Sequence, residues 1–293
     1  MKNLRLKDTF FSGKHSLNCR GKLLDLSTPA VMGILNITPD SFYDGGKYMD
    51  TKSILDRVSL IITQGADILD IGAMSSRPGS QTLEQNIEIE RLSQALEIIR
   101  KSFPEIIISI DTFRPEVARK MISDFEVNII NDIKAGGDDE RMFQVISDFK
   151  VPYIIMHMLG EPGTMQYNPE YKDVVDDILY YLANKTTTLR KFGINDIIID
   201  PGFGFGKTLD HNYKLIANLS LFKILELPIL VGISRKSMIS KLLNIIPDKT
   251  LNGTTALNMY ALTQGASILR VHDVGEAVET RNIFCKIRDS AGE

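Results

Sequence analysis

Residues 106–111 read Ile-Ile-Ile-Ser-Ile-Asp, and residues 112–115 continue them as Thr-Phe-Arg-Pro. The first six predict a short β-strand that is buried on both faces, because four of them are isoleucine. Arg114-Pro115 then predicts the start of a helix, since proline fits the first helical turn. The strand therefore ends on a carboxylate, Asp111, where the chain turns into a helix.

The same unit, an apolar strand followed by a helix, recurs along the chain. The predicted strands are Val31–Asn36, Ala66–Ile71, Ile106–Asp111, Val127–Asn131, Tyr153–His157, Asp196–Asp200, Ile229–Ile233 and Ser267–Val271. Strands that alternate with helices predict a parallel sheet covered by helices. Eight units favour a closed (β/α)8 TIM barrel over an open doubly wound sheet, which more often has five or six strands. One helix is predicted to start at the capping-box pattern Thr82-x-x-Gln85.

The length of 293 residues suits one barrel, which typically needs about 250 residues. No Gly/Ser/Pro-rich linker or charged block divides the chain, so a single α/β barrel domain is predicted over residues 17–290, after an N-terminal extension over residues 1–16. Ser16–Leu26 contains Arg20-Gly21-Lys22 between two short, partly apolar stretches. It predicts a hairpin that closes the bottom of the barrel.

Composition excludes several classes of protein. The net charge of -3 argues against nucleic acid as a partner, because phosphate backbones are bound mainly through a basic excess. No stretch approaches the ~18 apolar residues of a membrane span, and the N-terminus has no signal-peptide pattern. Cys19 and Cys285 lack paired spacing, and the four histidines show no zinc-ligand spacing. A cytoplasmic protein with neither nucleic-acid nor membrane partners is predicted.

Polar residues follow the predicted strands. They are Asn36, Ser75 to Gly79, Asp111, Asn131, His157, Asp200, Ser234 to Lys236, and Arg270 with His272. In a barrel these positions converge on the carboxyl-terminal face, where active sites are built. A single polar residue at a strand end is usually only a helix cap or a turn former. So many on one rim indicate a site.

The charges of these residues segregate along the chain. Asp111, Asn131 and Asp200 follow the third, fourth and sixth strands, and they suit a ring rich in N–H donors, such as a pterin edge. A second set follows the second, seventh and eighth strands and suits phosphate or pyrophosphate: Arg77, Lys236, Arg270 and His272. For Arg235, a role in the anion site and a place as a solvated surface charge remain alternatives.

Two glycine-containing loops belong to the same rim. Residues 200–207, Asp-Pro-Gly-Phe-Gly-Phe-Gly-Lys, have the wrong spacing and position for a dinucleotide fingerprint. They predict a flexible loop whose glycines admit a ligand and whose phenylalanine offers a ring face. Residues 38–46 predict a mobile lid with two carboxylates and two aromatic rings.

Eight motifs carry a family resemblance when they are taken in order. They are Gly33 to Phe42 with Asp44-Gly-Gly, Ile71 to Gly79, Ile110-Asp-Thr112, Ile130-Asn-Asp132, Met156-His-Met158, Asp200 to Lys207, Gly232 to Ser237, and Arg270-Val-His-Asp273. Each is weak alone, but in order and at barrel spacing the set is specific. From about Leu17 to Arg288 the chain resembles the dihydropteroate synthase family.

The resemblance implies a (β/α)8 barrel, often dimeric, that joins 6-hydroxymethyl-7,8-dihydropterin pyrophosphate to para-aminobenzoate with Mg2+ as cofactor. It assigns the pterin to Asp111, Asn131, Asp200 and Lys236; Mg2+ to Asn36; pyrophosphate to Asn36, Arg270 and His272; para-aminobenzoate to Ser76, Arg77, Pro78, Phe205 and Ser234; and catalysis to Asp111, Asp44 and Lys236. The family's dissociative mechanism needs no covalent nucleophile, which fits the lack of a catalytic triad.

The second loop departs from the family. It reads Gly72-Ala-Met-Ser-Ser-Arg-Pro, where a second glycine, an acidic residue and a threonine are more usual. Two rival functions stay open. A methyltetrahydrofolate:corrinoid methyltransferase-like barrel would share the pterin residues but would not need the cationic motifs. An inactive pterin-binding homologue would be expected to have lost Asn36, Lys236 or Arg270, and all three are present.

Overall fold

The computed structural model describes residues 16–38, 43–44, 48–73, 83–137, 140–160 and 169–291, with backbone alone at 43–44 and 48–49. Its first element is an antiparallel hairpin of β1 (Ser16–Cys19) and β2 (Lys22–Asp25), joined through Arg20-Gly21. Both turn residues have positive φ, 56° and 86°, which glycine accepts without strain. The predicted hairpin is confirmed.

Eight parallel strands form the barrel. In chain order they are β3 (Ala30–Asn36), β6 (Ile68–Gly72), β7 (Ile107–Asp111), β8 (Ile129–Asp132), β9 (Tyr153–Met156), β10 (Ile197–Asp200), β11 (Leu230–Val231) and β12 (Ile268–Val271). Their spatial order is β10-β9-β8-β7-β6-β3-β12-β11, and a parallel bridge from Ile199 to Ile229 closes the ring. A separate pair, β4 (Tyr43–Asp44) and β5 (Tyr48–Met49), follows β3. The predicted TIM barrel is confirmed, with each strand end within two residues of its predicted position.

Helices cover the barrel. They are α1 (Thr51–Thr63), α2 (Gln85–Ser102), α3 (Pro115–Phe125), α4 (Arg141–Phe149), α5 (Val174–Lys191), α6 (Leu209–Ala217), α7 (Ser237–Leu243), α8 (Leu251–Thr263) and α9 (Val274–Ala291), with 3-10 turns at Leu219–Leu225 and Pro247–Lys249. Pro115 starts α3 as predicted, but α2 starts at Gln85 with Glu84 as its N-cap, two residues after the predicted start. None of the helices described is both long and apolar enough to span a bilayer.

The core has two layers that position the site. Apolar side chains pack between the strands and the helices, and a second cluster fills the lower barrel and contacts the hairpin: Leu17, Cys19, Met32, Ile68, Ile129, Ile154, Ile198, Leu230 and Ile268. Asn128 links the hairpin to the barrel, because its side-chain N–H donates to the carbonyl of Cys19 at 3.2 Å. The barrel is therefore closed at the bottom, as predicted.

Candidate active site

Three predicted ligands lie at the upper ends of barrel strands. Asp111 and Asn131 are register partners on neighbouring strands, and Asp200 ends β10. Because side chains two residues apart on a strand point to one face, Asn131 and Asp200 lie directly above Ile129 and Ile198 of the apolar layer. Asn131 and Asp200 are only 4% and 6% exposed, so any ligand they hold must enter the barrel.

Asp70, which was not predicted as a site residue, lies among them. It is fully buried in β6, and its Oδ2 accepts from Arg270 at Nε (2.7 Å) and pairs with Nη2 (2.6 Å). The same oxygen accepts from the amide of Asn131 at 3.3 Å, and Arg270 Nη2 also donates to Asp111 Oδ2 at 2.8 Å. Arg270 therefore sits between two carboxylates, and the predicted segregation of cations from carboxylates is incomplete.

Burial sets the protonation of this cluster. It raises the pKa of Asp111 to about 7, with Arg270 opposing the rise and Asp70 adding to it. Burial also raises the pKa of Asp200, against the pull of Lys236, and it lowers the pKa of Lys236 to about 8. Buried carboxylates and cations whose pKa values move towards neutrality are typical of functional sites.

Lys236 and Phe205 form one wall of the pocket. Lys236 Nζ donates to the carbonyl of Phe203 at 2.5 Å and lies 4.6 Å from the ring centroid of Phe205. Phe205 is 9% exposed and packs in a small cluster with Ile133 and Met156. The ring thus has one face backed by a cation, an arrangement that stabilises an aromatic side chain at the edge of a site.

The turn before Lys236 contains Arg235, for which two roles were predicted as alternatives. Its guanidinium is exposed and binds both carboxylate oxygens of Asp273, with Nε 3.1 Å from Oδ2. Arg235 also has a φ of 57°, in the left-handed region that non-glycine residues rarely adopt. Arg235 is therefore an exposed residue that fixes the turn through Asp273.

Ser234 and His272 are in contact, although the resemblance assigned them to different substrates. The Ser234 hydroxyl accepts from the backbone N–H of His272 at 3.2 Å and lies 3.3 Å from its Nδ1. Arg57 donates to the carbonyl of His272 at 3.0 Å. Burial, together with Arg270 and Arg235, lowers the pKa of His272 to about 4, so its ring is neutral at pH 7.

A buried lysine holds the glycine-rich loop after β10. Lys207 is 3% exposed, and its Nζ donates to the carbonyls of Gly202 (2.7 Å) and Phe205 (3.0 Å) and lies 3.2 Å from Nδ1 of His157. Burial lowers the pKa of His157 to about 3, so the ring is neutral and can accept. Gly202 has a φ of 75°, and a Cβ there would collide with the carbonyl of His157. The loop is therefore fixed rather than free.

Asn36 faces Asp111 across Gly72. A Cβ at Gly72 would lie 3.6 Å from Asn36 Oδ1 and 3.8 Å from Asp111 Oδ2, so both oxygens border the space above this glycine. The described residues contain no group of three or more His, Cys, Asp and Glu side chains that could hold a metal. The exposed amide oxygen of Asn36 nevertheless fits Mg2+, which takes one or two protein oxygens and shares phosphate oxygens.

The side chains of four predicted site residues lie outside the part of the chain that the structure describes. Ser76, Arg77 and Pro78 lie outside the described residues, in the stretch 74–82. Asp44 is described by its backbone alone, as the second residue of β4. Their roles stay predictions. The remaining predicted ligands line the upper end of the barrel or the turns that follow its strands.

Comparison with known proteins agrees with this geometry. The family model of pterin binding enzymes matches residues 32–272. The dihydropteroate synthase of Escherichia coli K12 is 42% identical over 269 residues, which cover 91% of this chain and 94% of that protein. The Yersinia pestis dihydropteroate synthase solved with a sulfonamide drug has a TM-score of 0.87 at 39% identity, covering 94% of this chain and 99% of that one.

The Xanthomonas albilineans dihydropteroate synthase solved with 4-aminobenzoic acid has a TM-score of 0.85 at 34% identity, covering 94% of this chain and 98% of that one. These matches extend over the whole barrel, including both the carboxylate cluster and the turn at Lys236. The chain therefore belongs to the dihydropteroate synthase family of pterin-binding transferases.

Proposed function

We propose that the protein condenses 6-hydroxymethyl-7,8-dihydropterin pyrophosphate with para-aminobenzoate to give 7,8-dihydropteroate and pyrophosphate. The cluster of Asp111, Asn131 and Asp200 beside Lys236 and Arg270, in which Asn131 and Asp200 are buried, carries the proposal. Carboxylates accept the several N–H groups of a pterin edge, and the cations balance the charge of a pyrophosphate. That a family member binds 4-aminobenzoic acid supports the second substrate.

We assign the pterin ring to the lower part of this cluster. Asp200 and Asn131 would hold its N–H groups, and Lys236 would donate to a ring oxygen or nitrogen. The burial of Asp200 and Asn131 supports this assignment, because an enclosed site strengthens each hydrogen bond to a fitting ring and excludes others.

Bond breaking would start at the pyrophosphate. Arg270 and His272 would bind the leaving group, with Asn36 as the Mg2+ ligand; when bound, Mg2+ supplies positive charge that balances the departing pyrophosphate. As the C–O bond breaks, positive charge grows on the pterin methyl carbon. Asp111, with Asp44, would stabilise that cation electrostatically, since a fixed carboxylate needs no reorganisation.

The aminobenzoate would bind nearer the rim. Ser76, Arg77 and Pro78, together with Phe205 and Ser234, would form its pocket. Its amine would attack the cation, and the proton lost as the C–N bond forms would pass to water or to the departing pyrophosphate, so no strong base is needed. The Phe205 ring supports this, since it is 9% exposed and its centroid lies 4.6 Å from Lys236 Nζ in the wall of the pocket. We propose that the same pocket binds sulfonamide drugs, one of which is bound in the Yersinia pestis relative.

The test is incubation of the purified protein with the pterin pyrophosphate, Mg2+ and labelled para-aminobenzoate. Label in dihydropteroate is the expected result. Pyrophosphate release without labelled product would indicate an active ionisation site with a defective aminobenzoate pocket. If neither product forms, the enzyme assignment is wrong and the chain is an inactive pterin-binding homologue.

The activity should depend on the ammonium of Lys236. Because burial lowers its pKa to about 8, Lys236 is protonated below that pH and loses its charge above it. We expect kcat/KM for the pterin pyrophosphate to fall as the pH rises through about 8. Arg keeps its charge throughout, so Lys236→Arg should lower the activity but remove this alkaline limb. An alkaline limb that persists in the variant would contradict the assignment.

We also propose that the enzyme is a homodimer. Exposed apolar side chains concentrate in α7, α8, α9 and the turn after α7: Leu242, Leu243, Ile246, Leu251, Tyr260, Ile283 and Ile287. Apolar surface of this kind is typical of an interface between protein chains. Sedimentation velocity is expected to give a dimer for the wild type and a monomer for Ile283→Lys. Leu23→Lys, at an exposed position of the hairpin, is the control and should stay dimeric.

A cytoplasmic location is part of the same proposal. Cys19 and Cys285 are the two cysteines of the chain, and both are free thiols. Cys19 is buried in the lower barrel, where burial raises the pKa of its thiol to about 12. Unpaired thiols are typical of proteins in a reducing compartment.

A further inference from the structure

Lys207 and His157 belong to two of the family motifs, yet the proposed chemistry uses neither side chain. Four acceptors lie within 3.3 Å of Lys207 Nζ: the carbonyls of Gly202, Phe205 and His157, and Nδ1 of His157. Burial lowers the pKa of Lys207 to about 7, and Asp200 opposes this change. A buried cation is costly unless it is hydrogen-bonded, and three of these acceptors are backbone carbonyls. Lys207 therefore determines the path of the backbone around it.

Lys236 binds the same loop between these contacts. Its Nζ donates to the carbonyl of Phe203 at 2.5 Å, and a Cβ added to Gly204 would lie 3.3 Å from its Cδ. The ring centroid of Phe205 is 4.6 Å from the same Nζ. The stretch from Phe203 to Phe205 thus lies against Lys236, while Lys207 binds the carbonyl before this stretch and the one that ends it.

The backbone N–H groups of the loop also have acceptors. The N–H of Gly202 donates to Asp200 Oδ1 at 2.7 Å, and the N–H of Phe205 donates to the Gly202 carbonyl at 3.2 Å. The N–H of Gly204 donates to Asn212 Oδ1 at 2.7 Å. Together with the bonds of Lys207, these hydrogen bonds define one conformation of the loop.

We propose that Lys207 is a positioning residue that acts through this loop to set where the Lys236 ammonium meets the pterin, an inference that rests on the proposed function. A lysine ammonium on its flexible four-carbon stem needs a fixed acceptor to hold one position, and the Phe203 carbonyl is that acceptor. The carbonyl is fixed in turn because Lys207 binds the backbone on both sides of it. Lys207 itself touches neither substrate.

Lys207→Met tests the proposal with little change in side-chain volume. Methionine keeps an unbranched stem but donates no hydrogen bond, so the carbonyls of Gly202 and Phe205 lose their donor. We expect the dissociation constant of 6-hydroxymethyl-7,8-dihydropterin, measured by calorimetry, to rise about tenfold. Lys214→Met is the matched control, because Lys214 lies on α6 in an exposed pair with Asp173 and should leave the constant unchanged.

A double-mutant cycle shows whether Lys207 acts through Lys236. In Lys236→Ala the donor is absent, so adding Lys207→Met should weaken dihydropterin binding by less than about a further twofold. Tyr171→Phe is a control for the loop. The Tyr171 hydroxyl donates to the carbonyl of Gly206 at 2.8 Å, outside the stretch that lies against Lys236. Its loss should change the dissociation constant by less than about twofold.

Hydrogen exchange, measured by NMR, tests the fixed loop in the wild type and needs no substitution. The amides of Gly202, Gly204 and Phe205 should be protected before any dihydropterin is added, since each donates to an acceptor within the protein. In Lys207→Met the amides of Gly204 and Phe205 should exchange about tenfold faster. Thermal unfolding of each variant shows that folded protein is compared.

Three results would overturn the inference. They are unprotected loop amides in the wild type, an unchanged dissociation constant in folded Lys207→Met, and effects of Lys207→Met and Lys236→Ala that multiply in the double variant. The last would mean that Lys207 supports the barrel in general. A wild type that binds the dihydropterin but forms no dihydropteroate would overturn the proposed catalysis alone, whereas one that binds no dihydropterin would overturn both.

Discussion

Asp111→Asn is expected to lower kcat about 1,000-fold while changing the binding of pyrophosphate by less than about fivefold. The amide keeps the size of the carboxylate and one acceptor for Arg270, but it loses the negative charge that would stabilise the pterin-methyl cation. Arg270 keeps its two contacts to Asp70 Oδ2 in this variant, so the cation proposed to hold pyrophosphate stays in place.

Single-turnover kinetics and calorimetric titration of pyrophosphate with Mg2+ measure the two effects separately. Asp124→Asn is the matched control, because Asp124 lies in an exposed ion pair with Lys120 on α3 and should change neither quantity. Equal losses in turnover and in pyrophosphate binding would show that Asp111 organises the pocket as a whole, and they would contradict its role in stabilising the cation.

Arg270→Ala is expected to have two large effects. KM for the pterin pyrophosphate should rise about 100-fold, since a buried cation opposite the leaving group is lost. The free energy of unfolding should also fall, by about 3 kcal/mol, because Asp70 is left as a buried carboxylate without its cation.

The double variant Asp70→Asn/Arg270→Ala separates these effects. Removing the unpaired charge of Asp70 should restore most of the lost free energy of unfolding, as measured by urea unfolding. It should not restore KM for the pterin pyrophosphate. An unchanged KM in Arg270→Ala would count against pyrophosphate binding by this residue. A double variant as unstable as the single one would show that the buried ion pair is not the cause of the instability.

The barrel could be predicted because its elements are encoded locally. Runs such as residues 106–111 are buried on both faces, so each strand is continuously apolar and each is followed by a helical pattern. The ends of individual strands and helices were harder to predict. Strand β11 is only two residues long, and helix α2 starts at Gln85 because Glu84, not Thr82, is its N-cap. Helix starts depend on the surrounding backbone as well as on the capping pattern.

The positions of the candidate site residues could be predicted where these residues end strands, and could not where the contacts are long-range. Asp70 lies inside an apolar run, and its partner Arg270 is 200 residues away in sequence. A carboxylate flanked by apolar residues in a strand buried on both faces was the signal that could have identified it. Lys207 gave no such signal, since its role depends on carbonyl groups that only the folded chain brings near.

The hairpin of β1 and β2 has a kinetic consequence. It seals the lower barrel with buried side chains such as Leu17 and Cys19, so substrates are expected to enter from the opposite, carboxyl-terminal end. On the proposed assignment the pterin lies deep, at Asn131 and Asp200, and the aminobenzoate lies above it. An aminobenzoate that arrived first would obstruct that passage, so the enzyme should add its substrates in a compulsory order, pterin before amine.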